Sequence, residues 1–326
     1  MQSTKFAARL NSFKSGAEAY WPGKNRITVS DLLERAATVP GLSAMDLNYP
    51  DHLEATSPRD MAARLGELGL ALNGLAMRYY TEPGFKRGAF TNPDAGVRRK
   101  AIDQTKHGID AAREAGSSLM TLWLGQDGFD YAYQIDYARA WDMEISAISE
   151  VAAHDPACAI SLEYKPNEPR AFALLPDIGT TLLAIKEAGH ANLGVTLDFA
   201  HVLYADEMPA FAAMLAARHA KLMGVHLNDG YGKRDDGLMA GAVHIVETIE
   251  LLQVIGDLGY ASAIYFDTFP DASGLDPVAE CAANIDSVQR MQKVAGRLRG
   301  HAGLAAAIAA QDAAAARLIV NGALYG

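Results

Sequence analysis

The chain has 326 residues, half of them hydrophobic and 21% charged, a globular composition with material for one large barrel or two ordinary domains. With 39 acidic against 29 basic residues the formal charge is −10, and such a surface repels phosphates, which argues against a nucleic acid partner. No stretch approaches the roughly 20 apolar residues of a membrane span, and MQSTKFAARLNSF has no long apolar run, so neither a membrane nor a secretory signal is expected and a cytoplasmic location is.

Short β-like runs alternate with longer helical patterns, the βαβα signature of a parallel sheet. Strands are predicted near Lys5–Leu10, Ser43–Leu47, Ala71–Met77, Leu119–Leu124, Ala159–Tyr164, Gly194–Asp198, Leu222–Leu227 and Ala263–Asp267. Helices are predicted over Ser30–Thr38, Pro58–Leu68, Pro93–Ala115, Tyr137–Ala153, Asp177–Ala188, Pro209–Ala220 and Met239–Leu258. Ser57 before Pro58 and Asn92 before Pro93 pair a capping residue with a first-turn proline. Eight such units predict a closed (β/α)8 barrel. No glycine-rich phosphate loop follows the first strand, which weakens the open doubly wound alternative.

The division expected is a barrel over residues 1–297 and a C-terminal helical extension over 298–326. The alanine-rich HAGLAAAIAAQDAAAARLIV would form a helix that either docks on its own barrel or clasps a neighbouring subunit. Cys158 and Cys281 have no second cysteine at zinc-ligand spacing and read as buried free thiols.

Barrels carry their working residues at strand C-termini. Strand five ends in Glu163 with Lys165 beyond it, and strand six ends in Asp198 with His201 three residues on. Strand seven carries His226, followed by Asn228 and Asp229, and strand eight ends in Asp267. Glu163, Asp198, His226 and Asp267 thus make a set of three carboxylates and one imidazole, suited to Mn²⁺ or Mg²⁺, with Co²⁺ an alternative. Like charges crowded at a barrel mouth repel, and a cation relieves that cost. His201 with Asp235 or Asp236, from the loop YGKRDDG, would hold a second ion.

Glu163-Tyr164-Lys165 resembles the Glu-x-Lys of the xylose isomerase-like barrels, and Asp198-Phe199-Ala200-His201 resembles their Asp-x-x-His. Together with His226-Leu227-Asn228-Asp229, Asp235, Asp236, Asp267 and Leu122-Trp123-Leu124-Gly125, the set is most similar to the bacterial L-rhamnose isomerase type. The likeness runs over roughly residues 40 to 270 and is specific from 119 to 270. It implies a TIM barrel and a metal-assisted aldose–ketose isomerisation of an unphosphorylated sugar by a 1,2-hydride shift. On that reading Glu163, Asp198, His226 and Asp267 hold the first metal, and Lys165 stabilises negative charge near the carbonyl end. Glu163, His201 and Asp267 share in the chemistry, and Trp123 walls the site against water. Where some relatives carry a sugar-contacting histidine, this chain has Arg78-Tyr79-Tyr80.

Substrate contacts are expected from the loops after strands one to four, among Phe13, Trp21, His52, Arg78, Asp127 and Phe129. Rhamnose, lyxose, mannose, xylose and apiose all stay open, and relatives suggest a dimer or tetramer. The alternative chemistry is ketose 3-epimerisation by proton transfer. Epimerases place a glutamate on strand eight, whereas Asp267 is shorter by one methylene. A zinc phosphodiesterase of the endonuclease IV kind would show more histidines at strand ends and a basic face for DNA. A non-catalytic sugar-binding protein would have no need of Glu-x-Lys beside a metal cluster.

Overall fold

The structure, a computed structural model, describes residues 4–326. Eight parallel strands close into a barrel. In chain order they are β1 (Phe6–Arg9), β2 (Ala44–Tyr49), β3 (Ala71–Met77), β4 (Leu119–Trp123), β5 (Ala159–Glu163), β6 (Leu193–Asp198), β7 (Leu222–Leu227) and β8 (Ile264–Phe266). Each strand hydrogen-bonds to its sequence neighbours, and β1 closes the ring on β8. The (β/α)8 architecture read from the sequence is the one observed.

Strand alternation divides the interior in two. Phe6, Ala8, Met45, Leu47, Leu162 and Leu197 belong to the core between barrel and helices, whereas Ala7, Ala44, Ala263 and Tyr265 form a small separate cluster. Along β5 and β6, Ser161 and Thr196 bond to each other through their hydroxyls at 2.6 Å. Two residues further up the same strand faces come Glu163 and Asp198. The pleat that packs Leu162 and Leu197 outward is therefore what turns these acids toward the barrel axis.

Among the differences from the sequence reading, three concern how helices begin or break. The helix expected from Pro93 begins at Ala95, capped by Asp94, because Asn92 is occupied elsewhere, its Nδ2 donating to Gly88 O and Gly84 O. The helix expected from Met239 begins at Ile245. The preceding residues are held in a loop by Asp229, which accepts from the backbone N–H of Val243 and His244 and from His244 Nδ1–H. The C-terminal segment makes two helices, Ala302–Ala309 and Ala313–Tyr325, separated at Gln311, whose φ is +55°. They dock on their own chain: Leu304 and Ala307 are buried, Ile319, Val320 and Ala323 pack on the core, and Arg297 donates to Ala323 O.

Cys158 and Cys281 are free and buried, and burial pushes the Cys158 thiol up to about 11. No helix among the described residues is long and apolar enough to cross a membrane.

Candidate active site

Glu163, Asp198, His226 and Asp267 each offer one ligand atom, and these atoms all lie within 4.8 Å of one another. They come from the C-terminal ends of β5, β6 and β7 and the residue just past β8. Register places them: Asp198 pairs with His226 across β6 and β7, and Glu163 with Thr196 across β5 and β6. Asp198 is also the N-cap of a short helix, Phe199–Tyr204, accepting from His201 N at 3.0 Å. The Asp-x-x-His spacing is thus a capping geometry that brings His201 back beside its own cap.

Burial raises Asp198 to about 7 and raises Asp267 as well, since a desolvated carboxylate prefers its proton. Burial alone would strip the proton from His226, but Glu163, Asp198 and Asp267 around it hold the imidazole up at about 9. Its Nδ1 is buried, 3.6 Å from Glu163 Oε1, and has no hydrogen-bond partner among the described residues. Three carboxylates and an orphaned imidazole nitrogen converging at a largely buried barrel mouth form a donor set that fits a hard or borderline divalent cation.

Beside this cluster Asp235 carries two cations on one oxygen: His201 Nε2 and Lys165 Nζ both lie 3.1 Å from its Oδ2, and its Oδ1 is buried and unpartnered. His201 is anchored from behind, its Nδ1–H donating to Tyr164 O at 3.1 Å. Burial opposes charge on Asp235, but His201 and Lys165 hold its carboxyl below the usual range. Lys165 does not pair with Glu163. Its second partner is Glu168 at 3.0 Å, and its ammonium lies 5.3 Å from the Trp123 ring.

Of the adjacent loop acids only Asp235 reaches the site. Asp236, expected with it as a ligand, turns away: its Oδ2 accepts from Tyr231 N and its Oδ1 from Arg234 Nε. The loop is pinned where Gly237, at φ +56°, lies flat against Phe269; a Cβ there would stand 2.2 Å from the ring. Among the described residues the four-ligand cluster is the sole group of three or more such donors.

The cluster opens into a cavity of about 340 Å³ whose wall includes Trp123, Arg78, Lys165, His201, Asp235 and Tyr80. The other expected contacts are not at the cavity. His52 is a buried turn residue, accepting from Asn48 N and donating to Asn11 Oδ1. Phe129 stacks on Phe172 in a two-stranded ribbon, Gly128–Phe129 against Phe172–Ala173. Phe13 lies in the core, Trp21 packs against it and stacks on Arg35, and Asp127 braces the backbone of Ala89 and Thr91.

Three contributors, Asp46, Arg9 and Tyr265, escaped the sequence reading, and Asn228 was quoted there only as part of the motif after His226. Asp46 lines the cavity from β2, accepts from Asn73 Nδ2 at 2.7 Å, and is pushed by burial up to about 7. Arg9 pairs with Asp267 at 3.7 Å and with Asp271 at 3.4 Å. Asn228 bonds Asp198, and Tyr265 packs its ring 4.3 Å from that of His226. A signal existed for Asp46, an acid inside an apolar strand, but Tyr265 looks ordinary in sequence.

The family described as xylose isomerase-like TIM barrel matches residues 33–291. A xylose isomerase of Thermus thermophilus is 28% identical over 241 residues, covering 70% of this chain and 62% of that protein, so the match spans under two thirds of the relative's length. Among solved structures, a D-tagatose 3-epimerase-like protein aligns with TM-score 0.68 at 16% identity over 88% of this chain and 98% of that one. The D-psicose 3-epimerase of Clostridium cellulolyticum H10, solved with D-tagatose, aligns with TM-score 0.66 at 16% identity over 88% of this chain and 99% of that one. These structural likenesses carry the fold alone. On the family match, over more than half its length, and on the barrel, this chain belongs to the xylose isomerase-like TIM-barrel family.

Proposed function

We propose that the protein is a metal-dependent aldose–ketose isomerase acting on an unphosphorylated sugar by a 1,2-hydride shift. The observation that carries this reading is the convergence of Glu163, Asp198, His226 and Asp267 within 4.8 Å, with Lys165, Asp235 and His201 alongside. These four would hold Mn²⁺ or Mg²⁺, and when bound such an ion supplies Lewis-acid polarisation of a sugar carbonyl and its neighbouring hydroxyl.

The chain's own groups divide the remaining work. Lys165 Nζ, kept charged by Asp235 and Glu168, presents a fixed positive charge to an oxygen gaining negative charge. The proton that His201 Nε2 shares with Asp235 Oδ2 is placed for exchange with a substrate hydroxyl. Trp123 and Tyr80, 5.3 Å apart at their ring centroids, shield the reacting carbons from water. A second ion at His201 and Asp235 would have to displace Lys165 and the His201 proton.

Asp267 favours isomerisation over epimerisation. Its carboxylate offers an atom within 4.8 Å of the ligand atoms of Glu163, Asp198 and His226 and pairs with Arg9, which supports a metal-holding role for it. Lack of phosphate on the sugar fits the same geometry, because Arg9 and Lys165 are already paired with carboxylates and, among the described residues, Arg78 is left as a single cation for an anionic group. Purified protein with Mn²⁺, offered rhamnose, lyxose, mannose, xylose and apiose, should convert at least one to its ketose. Activity should vanish on chelation and in Asp198→Asn. Interconversion of 3-epimeric ketoses with no aldose formed would overturn the assignment in favour of an epimerase.

A further inference from the structure

Three cationic side chains other than histidine line the cavity: Arg9, Lys165 and Arg78. The first two are neutralised by neighbouring acids. Arg78 is not: no carboxylate among the described residues comes within ion-pairing distance, and its side chain donates no hydrogen bond to them. Its Nε is buried without a partner. Its position is nonetheless fixed. Its backbone N–H donates to Tyr49 O at 3.0 Å, and its Cζ stacks 4.0 Å from the Tyr80 ring centroid.

A guanidinium stacked on an aromatic face keeps its N–H edge free for a planar partner. Burying Nε without a hydrogen bond is costly, and the cost is relieved when an oxyanion arrives. Arg9 stands close enough to repel it, which sharpens the preference for an anion, while Asp51 and Asp267 oppose that repulsion only from beyond pairing distance. In the ring of strands β3 lies opposite β7, so Arg78 faces the cluster from across the mouth.

We propose that the substrate is a sugar acid, its terminal carboxylate gripped by Arg78 at the end remote from Glu163, Asp198, His226 and Asp267. This rests on the isomerase reading for the word substrate. A carboxylate is favoured over a phosphate because one fork with two donors matches one planar group, whereas a phosphate calls for further free cations or a helix N-terminus.

The test is titration calorimetry on the full Mn²⁺-loaded chain with matched C6 series of glucose, galactose and mannose: the uronate, the neutral aldose and the 6-phosphate. At least one uronate should bind about tenfold or more tightly than its neutral counterpart, the size of a charge-assisted bond. Arg78→Gln should bring the ratio of uronate to neutral-sugar affinity close to one, with Arg78→Lys recovering part of it. If circular dichroism shows Arg78→Gln unfolded, Tyr80→Leu, which removes the stacking platform, should lower the ratio of uronate to neutral-sugar affinity. No uronate preference, a stronger 6-phosphate, or a preference that survives both variants overturns the proposal. Ketose formation from neutral aldoses without uronate preference would sink this inference alone. Uronate binding through Arg78 with no isomerised product would sink the isomerase reading alone.

Discussion

Asn228 Nδ2 donates to both carboxylate oxygens of Asp198, at 3.1 and 3.0 Å, while its own Oδ1 accepts from Ala200 N at 2.8 Å. One amide therefore fixes the ligand acid and the start of the helix that carries His201. Partners that orient a metal ligand are commonly worth about 10–100-fold in metal affinity. Asn228→Ala should weaken Mn²⁺ binding by about that factor in calorimetry. Unchanged affinity would show that the amide braces the helix and not the ligand.

The metal-free cluster should link stability to pH with a definite sign. His226 and His201 are held up at about 9 and Asp198 at about 7, against ordinary values of 6.5 and 3.8. Each binds its proton more tightly folded than unfolded, so each contributes fully below its ordinary value and loses that contribution as pH rises through the folded one. Glu163 and Asp235, held low, act only below the carboxylate range. In EDTA the melting temperature should fall between about pH 5 and 9, and the stabilisation added by Mn²⁺ should grow over the same interval as it competes with those protons. Parallel pH profiles with and without Mn²⁺ would contradict the linkage.

Lys165→Met removes the ammonium held between Asp235 and Glu168. Its loss should lower kcat by about 10²–10³, as for other fixed charge-stabilising groups, with a smaller effect on KM. A change confined to KM would make Lys165 a binding residue only.

Gly125 lies against Trp123 so closely that a Cβ would stand 2.4 Å from the ring. Gly125→Ala must push the indole out of place. Indole emission should shift and KM should rise several-fold, while Mn²⁺ affinity stays near the parent value. Parent-like emission and kinetics would remove Trp123 from the cavity wall.

Leu304, on the first C-terminal helix, is 7% exposed within the core cluster. Leu304→Ala should cost about 2–3 kcal/mol in urea unfolding, as for other large-to-small core changes. A negligible cost would mean that this helix is held by something other than its contacts with the barrel.

Much of the architecture was readable because its signals are local. Apolar runs of strand length, each followed directly by an ionisable residue, marked the strands and the acids and imidazole at their ends. Alternation then required Glu163 to share a face with Ser161 and Asp198 with Thr196. Closure of the barrel brings such strand ends together whatever the loops do, so the four-residue cluster could be named from pattern alone.

The loops were a different matter. Nothing local distinguishes Asp235 from Asp236. The choice is made by Phe269 lying on Gly237 and by Asp229 gathering Val243 and His244, contacts between segments well apart in the chain. His52 and Phe129 carried the right chemistry for a sugar contact, yet a turn claims one and an aromatic stack the other. Asp46 and Arg9 entered the site because parallel register sets them side by side on β2 and β1. The sequence by itself determined which side chains point inward, since that depends on a two-residue period. Which of them remain unpaired among the described residues, as Arg78 does, was decided only by tertiary structure, since pairing depends on distances that no period encodes.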